Sequence, residues 1–390
     1  MSATTRGRTA NGSRGEQLVA LFIELAAISS PPGAERPVAD RVIAELERIG
    51  LSWEEDGAAA ELDGDTGNLI ARLPATDSRA NPIFFCAHLD TVPEPNEIVP
   101  VVEAGVVRSG GNTILGADNK AAVATLLAAA RIITEDGRAH GGIELVFTPM
   151  EEVGCRGAIA LETDRLEAGC GFVYDHAGPI GEYVRSAPSG TRLEIEFVGR
   201  AAHAGIDPEA GRSAIAAAAA AIGRIPAGRT AGDATLNVGV IAGGSAHNVV
   251  PERCAFTVDV RARSGERNDA LVAEIRSSCE SVAAAHECEL HFEAFEKYAA
   301  YRFEPDAPIV AMAAAALARV GLDAAPVDGG GGADASIFNA RGLPCLNLAN
   351  AMAEIHTHDE HIAVADLELM LELTLAIVGE ASSPPRPGSA

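Results

Sequence analysis

The sequence contains few aromatic residues and few positive charges. Phe, Trp and Tyr make up 4% of its 390 residues, whereas Ala and Gly are used heavily. This composition suits helices packed closely on a sheet, and the length is enough for two domains. Lys and Arg number 30 against 55 Asp and Glu, so the formal charge is −25. A chain this acidic is not expected to bind nucleic acid or an anionic membrane.

The sequence also lacks paired cysteines and long apolar segments. Its seven Cys are odd in number and have no Cys-x-x-Cys spacing, which predicts reduced, mostly buried thiols in a cytoplasmic protein. No segment has the length and apolarity of a membrane span, and residues 1–14 lack the apolar centre of a signal peptide. We predict that residues 1–14 and 383–390 are disordered tails.

Three predicted buried strands each end in acidic residues or a histidine. These residues are His88 and Asp90 after the first strand, Glu151 and Glu152 after the second, and Asp175 after the third. Strands that alternate with helices form a largely parallel sheet, and the carboxyl ends of parallel strands lie along one edge. We therefore expect these side chains to converge.

Two interpretations of these acids are open. Adjacent carboxylates such as Glu151 and Glu152 are costly to bury unless positive charge is nearby, which favours a metal ion with a general base. A solvated loop is the alternative. Asp118 lies just before a predicted helix over residues 120–134 and is either an N-cap or a further metal ligand.

A glycine run and a histidine cluster stand near the carboxyl terminus. Four consecutive glycines around Gly331 allow a backbone to approach a ligand closely, but no Lys-Ser/Thr pair follows them, so we exclude a phosphate loop. His356, His358 and His361 lie within the segment EIHTHDEHI.

The pattern of elements changes near residue 184. Strands and helices follow in the order β-α-β-β-α-β, which is typical of a ferredoxin-like α+β domain. The first strand alternates in polarity, and the first helix is rich in Ala. We place this inserted domain at residues 184–296. The α/β domain with a mostly parallel, mixed sheet then comprises residues 15–183 and 297–382.

Taken together, eight motifs resemble the peptidase T branch of the dizinc peptidase T, aminoacylase and carboxypeptidase G family. The motifs are AHLDTV (87–92), GADNKAA (116–122), TPMEEVGCRGA (148–158), VYDHAG (173–178), HAG (203–205), AHNVVPE (246–252), GGGADASIF (330–338) and EIHT (354–357). The resemblance covers nearly the whole chain, from about residue 17 to residue 379. It implies a zinc-peptidase domain with an inserted dimerisation or lid domain.

The resemblance assigns a role to each residue of the cluster. Two Zn²⁺ ions per subunit, with Co²⁺ or Mn²⁺ also possible, would be bound by His88, Asp175, Glu152, His356 and a bridging Asp118. Asp90 would orient the His88 ring, and Glu151 would be the general base that takes a proton from the metal-bridging water. A cis peptide is expected between Asp118 and Asn119.

The resemblance also implies residues that contact substrate, most of them in the inserted domain. His203 would reach the active site of the partner in a homodimer, although a solvent-exposed loop histidine is the plainer interpretation. Asn248, Arg261 and Gly331 are candidates to hold the substrate, although Arg261 is equally expected to form an ion pair with Asp259 or Glu252. We interpret His176, His358 and His361 as structural residues.

We expect a cytoplasmic, dimeric, zinc-dependent aminopeptidase that acts on short peptides, tripeptides first. The alternative is a carboxypeptidase, dipeptidase or N-acyl amino acid deacylase with the same two metals. A non-catalytic binding protein is disfavoured because Glu151 and all five ligand positions are present. Two departures from the family are Asn119, where many members have a second acid, and a short connection between Asp90 and Asp118, which puts strict tripeptide preference in doubt.

Overall fold

The computed structural model describes residues 13–230 and 234–382 and divides into two units. The second unit comprises Ser186–Arg302 and Gly329–Gly332, and the first unit comprises the remaining described residues. Residues 1–12 and 383–390, predicted as tails, lie outside the described residues. Ser13 and Arg14 do not belong to a tail, because the Ser13 side chain caps the first helix by accepting a hydrogen bond from the backbone N–H of Glu16.

The first unit begins with helices and strands up to the first crossing into the second unit. They are α1 (Arg14–Ala26), α2 (Arg36–Ile49), β1 (Ser52–Glu55), α3 (Ala58–Leu62), β2 (Leu69–Leu73), β3 (Ile83–His88), β4 (Pro100–Glu103), β5 (Val106–Ser109), α4 (Ala117–Asp136), β6 (Ile143–Thr148), α5 (Arg156–Ala160), β7 (Gly171–His176) and β8 (Glu182–Ala187). A 3-10 turn occupies Thr163–Arg165. Strand β8 continues into the second unit at Ser186.

The second unit has the strand and helix order of a ferredoxin-like domain. Its elements are β9 (Ser189–Val198), α6 (Ala214–Ile222), β10 (Gly228–Arg229), β11 (Thr235–Gly243), β12 (Arg253–Ala262), α7 (Gly265–His286), β13 (Glu289–Tyr298) and β14 (Tyr301–Arg302), with a 3-10 turn at Pro208–Ala210. The antiparallel sheet has the order β10-β11-β12-β9-β13, and α6 and α7 share one apolar core with it. This order matches the expected architecture.

The second unit extends beyond the range predicted for the inserted domain. It starts at Ser186 and ends at Arg302, whereas the prediction placed it at residues 184–296. The difference at the end arises because β13 continues to Tyr298, past the apolar alternation that marked the strand in the sequence. The glycines at positions 329–332 also join this unit.

The chain then returns to the first unit. The remaining elements are α8 (Pro308–Arg319), β15 (Ala325–Asp328), α9 (Asp334–Ala340), β16 (Cys345–Ala349), β17 (His361–Ala363) and α10 (Val364–Ala381). The main sheet has the order β1-β2-β6-β3-β7-β16-β8, and its four central strands from β6 to β16 are parallel. The outer strands are antiparallel, so the sheet is mixed and parallel at its centre, as expected.

The centre of the main sheet is buried on both faces, as is typical of parallel strands. Strand β3 is buried along its whole length, and 17 of the 20 residues of α4 are buried. A strand covered on both faces reads as a continuous apolar run, which is the pattern of residues 83–87. Helices α1, α4, α8 and α10 pack together on this sheet and share its largest apolar core.

Two further structural findings concern the whole described chain. All seven cysteines are free thiols, five of them buried, which agrees with the prediction from their spacing. Within residues 13–230 and 234–382, no helix combines the length and apolarity that would be needed to cross a membrane.

Candidate metal centre

The predicted site residues of the first unit follow neighbouring strands of the parallel sheet. His88 is the last residue of β3 and lies in register with Thr148, the last residue of β6. Glu151 and Glu152 follow β6 directly, and Asp175 lies in β7, on the other side of β3. The carboxyl ends of the three strands therefore bring these side chains to one edge of the sheet, where ligands bind in open α/β folds.

Asp118 lies at the centre of the cluster, between the two histidines. Its Oδ1 is 3.1 Å from Nε2 of His88, and its Oδ2 is 3.3 Å from Nε2 of His356. Each histidine has a second carboxylate within reach: Asp175 Oδ1 is 3.7 Å from His88 Nε2, and Glu152 Oε1 is 3.0 Å from His356 Nε2. The arrangement thus consists of two imidazole–carboxylate pairs that share one carboxylate.

The backbone at Asp118 departs from a helix. The peptide bond between Asp118 and Asn119 is cis, which confirms the expectation at this position. Both residues have non-helical dihedral angles although they lie within the first turn of α4. The regular helix therefore begins near Lys120, and Asp118 is presented to the cluster rather than acting as an ordinary N-cap.

Asp90 has a different set of contacts from the one expected. Nδ1 of His88 lies 2.9 Å from the backbone carbonyl oxygen of Asp90 and 3.4 Å from its carboxylate. The carboxylate, which is fully buried, instead accepts the backbone N–H groups of Glu151 at 2.9 Å and Glu152 at 3.0 Å. Asp90 therefore holds the His88 ring through its main chain and the turn with the two glutamates through its side chain.

Glu151 belongs to the cluster but not to the imidazole pairs around Asp118. One of its oxygens lies within 4.8 Å of ligand atoms of both His88 and Asp175. Its Oε1 accepts a hydrogen bond from the thiol of Cys155 at 3.2 Å. Burial raises the pKa of Glu151 well above its usual range, and the neighbouring charge of Asp175 adds to the effect.

The other titratable groups show how much negative charge is concentrated here. Burial raises the pKa of Asp175 to about 7. Hydrogen bonds that protonated His356 donates to Asp118 and Glu152 raise its pKa to about 10. Burial disfavours ionisation of Asp118, but its bonds to His356 and His88 outweigh this and lower the pKa of its carboxyl.

These shifts test whether the residues fit a pair of cations. Packed carboxylates repel one another unless protons neutralise some of them or positive charge lies nearby. Dications would supply this positive charge and would lower the pKa of every acid around them. Imidazole nitrogens and carboxylate oxygens are also the donors that Zn²⁺, Co²⁺ and Mn²⁺ accept, so the donor set fits a dinuclear metal centre.

Three residues that the sequence interpretation did not assign lie around this cluster. Glu360 accepts backbone N–H groups before and at Asp118, Asp334 accepts the Thr148 hydroxyl at 2.5 Å, and Lys120 donates to the carbonyl of Ile28. All three are at most 2% exposed. Asp334 and Lys120 stand inside the quoted motifs, so their position there was a usable signal. The contacts of Glu360 are with distant backbone and leave no local pattern.

The predicted substrate residues all lie in the second unit. His203 is exposed, with its Nδ1 accepting the Gly205 N–H at 3.2 Å, and Asn248 is exposed as well. Arg261 donates to Asp259 at 2.7 Å and to the carbonyl of Gly330 at 3.0 Å. The ion pair with Asp259 is thus the alternative that the structure shows for Arg261. Gly331 lies beside it, since a Cβ there would be 3.2 Å from the guanidinium.

The three histidines that we interpret as structural have partners outside the cluster. His176 lies 3.0 Å from Glu182, and His358 lies 3.7 Å from Glu94. His361 forms the antiparallel bridge to Ala353 and pairs with β5. Each of these contacts is compatible with a structural role.

Comparison with known proteins places this fold and site in one family. The sequence profile of peptidase family M20/M25/M40 matches residues 84–380. The uncharacterized protein YqjE of Bacillus subtilis is 32% identical over 94% of this chain and 99% of its own length. Among solved structures, aminopeptidase PepT from Bacillus cereus is 35% identical with a TM-score of 0.87, and the match covers 95% of this chain and 99% of that protein.

A second solved structure agrees with the first. A tripeptidase from Staphylococcus aureus is 30% identical with a TM-score of 0.89, and the match covers 94% of this chain and 98% of that protein. The match to aminopeptidase PepT likewise spans nearly the full length of both chains. The chain belongs to peptidase family M20/M25/M40 and resembles its peptidase T-like members. It is a hydrolase that acts as a peptidase.

Proposed function

We propose that this protein is a dinuclear zinc aminopeptidase that removes the N-terminal residue from short peptides, tripeptides first. The observation that carries the proposal is the position of Asp118, whose two oxygens face two different histidines. Similarity over nearly the whole chain to an aminopeptidase and to a tripeptidase supports the substrate class. The proposal includes a homodimer, with His203 acting in the partner's site.

The residues that would hold the metals follow from the contacts in the first unit. His88 and Asp175 would bind one ion, His356 and Glu152 the other, and Asp118 both. When bound, such ions polarise the scissile carbonyl and lower the pKa of water. The five side chains come from five separate segments, so the centre requires the folded sheet.

Glu151 is proposed as the general base. It lies beside His88 and Asp175, and its Oε1 accepts the Cys155 thiol, so we assign proton transfer to Oε2. Glu151 takes a proton from the attacking water and passes it to the leaving amine. Asp90 fixes the turn that carries this carboxylate through the backbone of Glu151 and Glu152.

We also propose that residues of the second unit bind the substrate. Asn248 and Gly331 are candidates for holding one end of the peptide. Arg261 would have to exchange its ion pair with Asp259 for a substrate carboxylate.

The test is a panel of substrates incubated with the zinc-loaded enzyme and analysed by mass spectrometry. It contains tripeptides with a free amine, the same tripeptides N-acetylated, dipeptides and N-acyl amino acids. We expect release of the first residue from free tripeptides and loss of cleavage on acetylation. Preferential hydrolysis of acylated substrates would instead identify a deacylase or carboxypeptidase with the same residues, and would contradict the aminopeptidase assignment.

A further inference from the structure

Glu360 is a buried carboxylate that accepts hydrogen bonds from backbone N–H groups next to the metal cluster. It is 2% exposed and lies four residues after His356. Its Oε2 accepts the backbone N–H groups of Leu115 and Gly116, each at 2.8 Å, and its Oε1 accepts the N–H of Asp118 at 3.0 Å. A carboxylate that binds three main-chain amides at once fixes the path of that segment, since charge-assisted hydrogen bonds are strong where water is excluded.

The segment that carries Glu360 is itself fixed at both ends. Ala353 and His361 exchange two backbone hydrogen bonds, of 3.0 and 3.1 Å, which close the loop of residues 354–360. Strand β17 then pairs with β5. Within the loop, Glu354 and His356 have positive φ values of 53° and 63° although neither is glycine. The loop therefore has a defined shape that its own sequence does not favour.

Two points of this loop hold the same residue, Asp118. Nε2 of His356 lies 3.3 Å from its Oδ2, and the carboxylate of Glu360 binds its backbone N–H. The side chain and the main chain of Asp118 are thus both positioned from one loop about 240 residues away. Asp90 makes a similar contact elsewhere in the site, because its carboxylate accepts the backbone N–H groups of Glu151 and Glu152.

We propose that Glu360 is a positioning residue of the metal centre, which sets the place of the shared ligand Asp118 relative to His356. The inference rests on the proposed function, because it requires that Asp118 and His356 bind metal. Replacing a residue that orients a metal ligand through a hydrogen bond typically lowers the metal affinity by about 10–100-fold. A purely structural carboxylate would change stability only.

The test compares Glu360→Gln with Glu144→Gln. Glu144 is the control: it is 5% exposed, accepts the backbone N–H groups of Glu167 and Ala168 at 2.9 Å, and lies near the start of β6, away from the site. Its other oxygen also accepts a hydrogen bond from Arg72 Nε at 3.2 Å. The dissociation constants for Zn²⁺ and Co²⁺ are measured on the full chain by competition with a chelator. We expect Glu360→Gln to weaken binding of at least one ion by about 10–100-fold and Glu144→Gln to leave both constants unchanged.

A second measurement examines the contacts directly. Amide hydrogen exchange of Leu115, Gly116 and Asp118 should become faster in Glu360→Gln with and without metal, while exchange in the strands of the main sheet stays slow. Faster exchange with unchanged metal affinity would overturn the proposal, because the contact would then exist without positioning the centre. Equal loss of affinity in Glu144→Gln would also overturn it.

Asp118→Asn separates this inference from the proposed function. If Asp118→Asn binds both metals as tightly as the parent protein, the metal centre itself is assigned wrongly and both proposals fail. If Asp118→Asn loses metal while Glu360→Gln does not, only the positioning role of Glu360 is wrong.

Discussion

Glu151 and Glu152 are neighbours in sequence, yet their carboxylates have different partners. Glu152 Oε1 lies 3.0 Å from Nε2 of His356, whereas Glu151 Oε1 accepts the Cys155 thiol at 3.2 Å. The backbone N–H groups of both residues bind the same carboxylate, that of Asp90. One buried acid therefore fixes the backbone of both glutamates, and their different contacts support our proposal that Glu151 is the base and Glu152 a metal ligand.

This assignment gives a pair of contrasting substitutions. Glu151→Gln should keep both metals and the fold but lower kcat by about 10²–10⁴-fold or more, because the amide cannot accept a proton. Glu152→Gln should lower the bound metal itself, since it removes a carboxylate from the His356 pair. Metal content per subunit and kcat for a tripeptide distinguish the two. Substantial turnover by Glu151→Gln at full metal content would remove Glu151 from the role of base.

At the scale of elements, the turn between β6 and α5 is the most constrained part of the site. Met150 and Cys155 have positive φ values of 57° and 54°, which non-glycine residues adopt only when the surroundings require it. Gly157, in α5, approaches the start of the turn: a Cβ there would lie 2.3 Å from the carbonyl oxygen of Pro149. Because that atom belongs to the backbone, it has little freedom to move away.

Gly157→Ala should therefore displace the turn that presents Glu151 and Glu152. We expect a loss of about 1–3 kcal/mol in the free energy of unfolding, together with weaker metal binding. Gly169→Ala is the matched control, because no atom lies within 4 Å of a Cβ at that exposed position. Denaturant unfolding and metal titration of both variants check the prediction. Equal behaviour of the two variants would show that the close approach at Gly157 is not limiting.

The sequence predicts the helices and strands whose formation depends on residues within the same segment. The apolar run before His88 and the Ala-rich stretch after Asp118 predict β3 and α4, because burial on both faces leaves an apolar pattern. Strand β1 has only four half-exposed or exposed residues, SWEE, and forms through its pairing with β2, so it left no pattern. Helix α7 begins at Gly265, earlier than its apolar periodicity suggests, because Ser264 caps it.

The candidate site likewise contains residues that the sequence indicates and contacts that it does not indicate. The five candidate ligands and Glu151 could be proposed from the sequence because each lies within one of the quoted motifs. Three of the ligands lie at or just after the end of a strand, Asp118 lies in the first turn of a helix, and His356 lies in the loop of residues 354–360. Glu151 also follows a strand. The contact of Asp90 with the turn after β6, and those of Glu360 with the segment before α4, join main-chain amides to distant side chains. Such contacts depend on the path of the folded backbone. A carboxylate in a sequence does not indicate which amides it will bind.

For the whole molecule, the proposed metal centre predicts that stability depends on metal. The cluster buries several carboxylates whose pKa values are raised by burial, among them Glu151 and Asp175. A buried charge without a partner costs several kcal/mol, and two dications would remove this cost.

Removal of metal should therefore lower the unfolding temperature of the protein. A ligand present at 100 times its dissociation constant stabilises the folded state by about 2.7 kcal/mol, so dialysis against a chelator should lower the midpoint by several degrees. Adding Zn²⁺ back should restore it. Asp118→Asn, which disrupts the shared ligand, should show a much smaller response to chelator and to Zn²⁺ than the parent protein. Scanning calorimetry measures both, and an unfolding temperature that does not change with metal in the parent protein would contradict a dinuclear centre at this cluster.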